Sequence, residues 1–65
     1  MNRSTAEDFV EDIIESENPS VIVVSRRLFK ALLPGESPTS SIGYGGVQIE
    51  SDSAFDTFEY VCDPD

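Results

Sequence analysis

Apolar residues along this chain follow two rhythms. In "STAEDFVEDIIESE" (residues 4–17), Phe9, Val10, Ile13 and Ile14 recur at helical spacing and form one stripe. Ser4 and Glu7 have the spacing of a capping box, so the helix is expected to begin there. "NPS" at 18–20 ends it, because the residue before a proline is pushed out of helical geometry. "VIVV" (21–24) is a continuous β-branched run, too short for a helix. It predicts a central strand covered on both faces. "SRRLFKALLPG" returns to helical spacing with Leu28, Phe29, Leu32 and Leu33, Ser25 as N-cap and "PG" as the stop.

"GESPTSSIGYGG" (35–46) reads as a flexible loop, long for so small a domain, whose glycines allow positive φ at a tight entry to the next strand. Ile42 and Tyr44 are its two large apolar side chains. They either cover the edge of the core or, for Tyr44, meet a partner. "VQIES" and "TFEYV" alternate apolar and polar positions around the turn "DSAFD", predicting an antiparallel hairpin that packs Val47, Ile49, Phe58 and Tyr60 against the helices. Phe55 sits in the turn, and residues 62–65 form an acidic tail. The order α-β-α-β-β predicts an α+β fold. Two short helices pack on a small three-stranded sheet with a C-terminal antiparallel hairpin, in a single domain spanning residues 1–65.

Size narrows the possible support for such a fold. A chain of 65 residues buries roughly 60% of its unfolded surface, so its core is marginal. Cys62 is the sole cysteine and histidine is absent, which excludes an internal disulfide and argues against zinc. Cys62 has no basic neighbour in sequence and reads as an inert thiol.

Charge changes the picture more. Thirteen acids face four bases, a net charge of −9. Direct nucleic-acid binding and anionic membrane surfaces are disfavoured, and a basic partner is favoured. "MNRSTAEDF" has no apolar signal-peptide core, and no run nears the length of a membrane span, so the expected location is the cytoplasm of a host cell or a virion. Six of the acids lie in residues 6–17, where Glu7/Glu11, Asp8/Asp12 and Glu11/Glu15 repel at i,i+4 by a few tenths of a kcal/mol each. Packing, counterions or a basic surface must offset that. Arg26, Arg27 and Lys30 have two readings: ion pairs with the first helix, or an anchor for an anionic group. A solvated surface, or adaptation to high salt, would also explain the acidity.

Catalytic chemistry finds little purchase. The commonest general base is missing. Glu50, Asp52 and Asp56 could approach a calcium ion, but their spacing does not match an EF-hand loop. "GYGG" lacks the pattern of a phosphate-binding loop. No cofactor and no enzymatic activity are expected.

Residues 21–61, "VIVVSRRLFKALL…GVQIESDSAFDTFEYV", resemble part of the axial region of tailed-phage major capsid proteins, and short phage reading frames of similar design. The chain is far shorter than a capsid subunit and has no long spine helix. The resemblance implies a small virus-encoded protein and transfers no functional residue. The leading expectation is a non-enzymatic module whose acidic surface imitates DNA and occludes a basic site on a nucleic-acid-processing or defence protein. Its candidate contacts are Glu7, Asp8, Glu11, Asp12, Glu15, Tyr44, Glu50, Asp52 and Asp56. The alternative is a small capsid-associated or decoration protein, and a homo-oligomer through a sheet edge fits either.

Overall fold

The computed structural model describes residues 1–63. The first helix, α1, runs Arg3–Glu17. Its N-cap is Asn2, not Ser4: Asn2 is extended (φ −97°, ψ 170°) and its side chain accepts the Thr5 N–H at 2.8 Å. Ser4 already lies in the first turn, so the capping box does not form. At the other end Asn18 adopts the left-handed conformation (φ 48°) and donates its N–H to the Ile14 carbonyl at 3.0 Å. Asparagine tolerates that geometry, and Pro19 then prevents continuation. There follow β1 (Val21–Ser25), α2 (Arg26–Leu32), β2 (Ile42–Tyr44), β3 (Val47–Asp52) and β4 (Tyr60–Asp63), so that Cys62 and Asp63, expected in the acidic tail, belong to a strand, and residues 64–65 of that tail lie outside the described residues.

The α+β class and both helices are as expected, but the sheet has four strands, in the order β2-β3-β1-β4. The extra strand, β2, comes from within the segment read as a loop. Its two-residue connection to β3 puts Gly45 and Gly46 at φ 58° and 83°. Positive φ at both positions is what a type I′ hairpin requires, and glycine supplies it without strain. The C-terminal antiparallel hairpin is therefore β2–β3, and 47–51 does not pair with 57–61. Instead β1 lies between β3 and β4, parallel to the first (Ile22 beside Ile49) and antiparallel to the second (Val23 beside Val61). The β-branched run thus satisfies both backbone edges at the centre of the sheet. Residues 53–59 cross past the end of β1, where the Ser25 hydroxyl donates to the Thr57 carbonyl at 2.8 Å.

Register places Ile22, Val24, Val47 and Ile49 on one face. There they join Ala6, Val10 and Ile13 of α1 and Leu28, Phe29 and Leu32 of α2 in one core, none more than 6% exposed. The opposite face carries Val21, Val23, Gln48, Glu50 and Val61 and no helix. Coverage of β1 is one-sided, and Val21 and Val23 remain half-buried. Phe58, expected in the core, is 51% exposed, because it precedes β4 and lies beside the Phe9 ring at the margin of the sheet. Among the described residues, no helix is long and apolar enough to cross a membrane.

Candidate functional site: the acidic face of the first helix

The two edge strands each carry a tyrosine that reaches up to α1. Tyr44, closing β2, donates its hydroxyl to Glu11 Oε2 at 3.0 Å. Tyr60, opening β4, donates to Glu17 Oε2 at 2.9 Å. The helix is strapped across the sheet from both margins, with Ala6, Val10 and Ile13 underneath. Phe9 adds an edge-on contact to Tyr60, ring centroids 5.5 Å apart.

Helical spacing then sorts the acids. Glu7, Glu11 and Glu15 recur every fourth residue on the flank facing the β2–β3 turn, and Asp8 and Asp12 point outward. Beside that flank lies an open groove of about 470 Å³ lined by Glu11, Ile14, Glu15, Tyr44 and Gly45. Its floor is apolar and its rim carries two carboxylates, one oriented by the Tyr44 hydroxyl. Six of the nine predicted contacts, the five α1 acids and Tyr44, therefore meet on α1 and its flank. Glu50, Asp52 and Asp56 do not join them. Glu50 faces the open side of the sheet beside Val23. The Asp52 carboxylate accepts the Ala54 N–H, and Asp56 lies in the crossing segment with its N–H on Glu59.

Among the described residues the single ion pair is Arg3 to Glu7, 3.3 Å between Nε and Oε2. With Arg3 63% exposed it is worth little. Arg26, Arg27 and Lys30 are exposed on α2 and make no ion pair with α1. Arg26 and Arg27 instead line a shallow depression with Phe55, Asp56 and Thr57. The charge of Asp8, Glu11, Asp12 and Glu15 is thus left without a basic partner among the described residues. Nothing in this arrangement pairs a nucleophile with a base.

Sequence reasoning missed Glu17 as a tyrosine acceptor. The only signal was a glutamate falling on the buried side of the helical repeat, at its last turn.

Both tyrosine hydroxyls lie above their ordinary range near 10.0. For Tyr44 the first cause is partial burial and the second the bond to Glu11. For Tyr60 the bond to Glu17 comes first. Burial, then the Glu17 charge, also raises the Cys62 thiol. A raised pKa means that the folded chain keeps its proton where the unfolded chain has lost it. Stability is therefore full below the ordinary tyrosine range and falls as pH rises through the folded values. Melting temperature in a Cys62→Ser background should drop above about pH 10, and Tyr44→Phe with Tyr60→Phe should flatten that drop. An unchanged slope in the double variant would show that neither hydroxyl holds α1.

Compared with protein-family models, curated proteins and solved structures, the chain matches none.

Proposed function

We propose that the chain is a non-enzymatic, virus-encoded binding module, whose α1 acids imitate a line of phosphates and occlude a basic site on a nucleic-acid-processing or defence protein. The observation that carries this reading is that, among the described residues, Asp8, Glu11, Asp12 and Glu15 have no basic partner: the one ion pair of α1 is Arg3 with Glu7, and the bases of α2 do not pair with α1. The carboxylates recur about every 6 Å along the axis. Their mutual repulsion, unrelieved in the free protein, is relieved by a cationic surface. The Tyr44 groove adds an apolar floor for the stem of an incoming Arg or Lys, side chains that bury their methylenes while keeping the charge at the rim. Occlusion is steric and electrostatic, so association is fast at low ionic strength and slows steeply with salt.

The test is affinity capture from host lysate with mass spectrometry, followed by charge reversal. Changing Glu7, Asp8, Glu11 and Asp12 together to Lys should leave the circular dichroism spectrum intact and weaken binding to the captured nuclease, glycosylase or polymerase by at least about 100-fold. Binding that survives reversal, or that ignores salt, overturns the proposal. Stoichiometric recovery of the protein in purified virions would replace it with the capsid-associated reading.

A further inference from the structure

We propose that β4 is a strand-addition edge for an extended segment of another protein in which apolar and basic residues alternate. The proposal stands on residues other than the five α1 acids assigned to occlusion and their groove. β4 is the last strand of the sheet; its inner edge pairs with β1, and no strand lies beyond its outer edge among the described residues. Apart from Met1, the large apolar side chains left exposed are Phe58 (51%) and Val61 (54%), both on this margin. They stand on opposite sides of the sheet. Val61 shares the open face with Val23, whereas Phe58 lies against Phe9 of α1, ring centroids 5.3 Å apart. A strand laid beside β4 projects its own side chains alternately to the two sides, so one added strand reaches both. On the helix side it meets a preformed aromatic surface of Phe9, Phe58 and Tyr60.

The other edge offers no such surface. β2 has three residues; Ile42 and Tyr44 are half-buried and Gly43 has no side chain. Charge selects the occupant at β4. Glu59 precedes the strand, Asp63 closes it, and Glu17 holds the Tyr60 hydroxyl. No base stands among them. A second copy would bring the same acids to the seam, whereas a strand with Lys or Arg at alternate positions sets its cations on the open face beside Asp63 and Val61 and turns its apolar residues to Phe9, Phe58 and Tyr60. The shortness of β4 and the charge of Asp63 restrain the free edge from pairing without such a match.

The probe is an eight-residue peptide alternating Val and Lys, titrated into the whole protein. Readouts are backbone amide shifts and hydrogen exchange. Binding should saturate and slow exchange in Tyr60–Asp63 by about tenfold or more, since added main-chain hydrogen bonds are the source of affinity. A peptide N-methylated at alternate amides, or one with Glu for Lys, should lose at least about tenfold in affinity. Phe58→Ser should weaken binding while the protein stays folded, its melting temperature lowered by only the few degrees that loss of the Phe9 contact costs. The α1 charge-reversal variant should still bind, so this inference and the occlusion reading fail separately. Shifts confined to the α1 acids, equal binding of the N-methylated peptide, or dimerisation with β4 protected in the absence of peptide would each overturn the inference.

Discussion

Replacing Phe29 with alanine is expected to remove about half or more of the chain's folding stability. Phe29 is the largest fully buried side chain, on α2 at the centre of the one core. Truncating a buried Phe removes its transfer energy and leaves a cavity, about 3–5 kcal/mol in all. Stabilities of about 0.05–0.15 kcal/mol per residue give this domain roughly 3–10 kcal/mol. No disulfide supplements that core, since Cys62 is unpaired. Loss and total are therefore of the same size, and the population shifts toward the unfolded state. Phe29→Leu keeps most of the volume and should cost about 1–1.5 kcal/mol, as shape-conserving swaps do. Urea titrations followed by circular dichroism separate the two variants. A Phe29→Ala protein that melts within a few degrees of the parent would mean that stability does not reside in this cluster.

Ser25→Ala should be the most damaging single-atom deletion. Ser25 is 2% exposed, and its hydroxyl serves two elements at once. It accepts the Leu28 N–H at 3.1 Å, capping α2, and donates to the Thr57 carbonyl at 2.8 Å. The cap alone is worth about 1 kcal/mol. A deprived partner inside the protein adds about 1–3 kcal/mol. Together they predict a loss of about 2–3 kcal/mol, allowing for partial hydration of Thr57. Glycine at this position keeps most of the capping geometry but not the bond to Thr57. Ser25→Gly should therefore fall between the parent and Ser25→Ala. Both variants should become cleavable by protease within residues 53–59, whose path depends on that bond. If Ser25→Ala resists cleavage like the parent, the crossing segment is held by something else.

How far the sequence foretells this protein varies by element. The helices are legible because each buries one stripe, and the stripe residues Val10, Ile13, Leu28, Phe29 and Leu32 all reach the core. The N-cap shifted to Asn2 because two cap-forming residues compete within three positions and only local backbone geometry decides between them. The sheet was the weaker part. "IGY" is three residues in a Gly- and Ser-rich stretch, too short to show alternation, and it pairs only because Gly45 and Gly46 fold it back on β3. Strand order depends on which segments reach both edges of β1, and periodicity carries no information about that. Phe58 misled because its phase matches Tyr60, yet the strand starts only at Tyr60.

For the site, clustering of Glu7, Glu11 and Glu15 with one another follows from helical spacing alone. That Tyr44 joins them follows from the hairpin, since an antiparallel β2 delivers its last residue to the α1 flank. Glu50 falls away because it alternates with the buried Val47 and Ile49 along β3, facing the side without helices.

The arrangement of β1 also sets an order of events in folding. Its neighbours come from far along the chain: Val21 lies beside Gln48 on one side and Asp63 on the other. No local hairpin can pre-form the middle of the sheet, and the one local pairing, β2 with β3, lies off-centre. Closing such distant contacts costs loop entropy before it returns any burial, which places the barrier late and makes it tall for so short a chain. A polypeptide cut between Asp52 and Tyr60 would keep both helices yet leave its most β-prone strand with a bare side, an invitation to aggregate during synthesis that the addition of β4 removes.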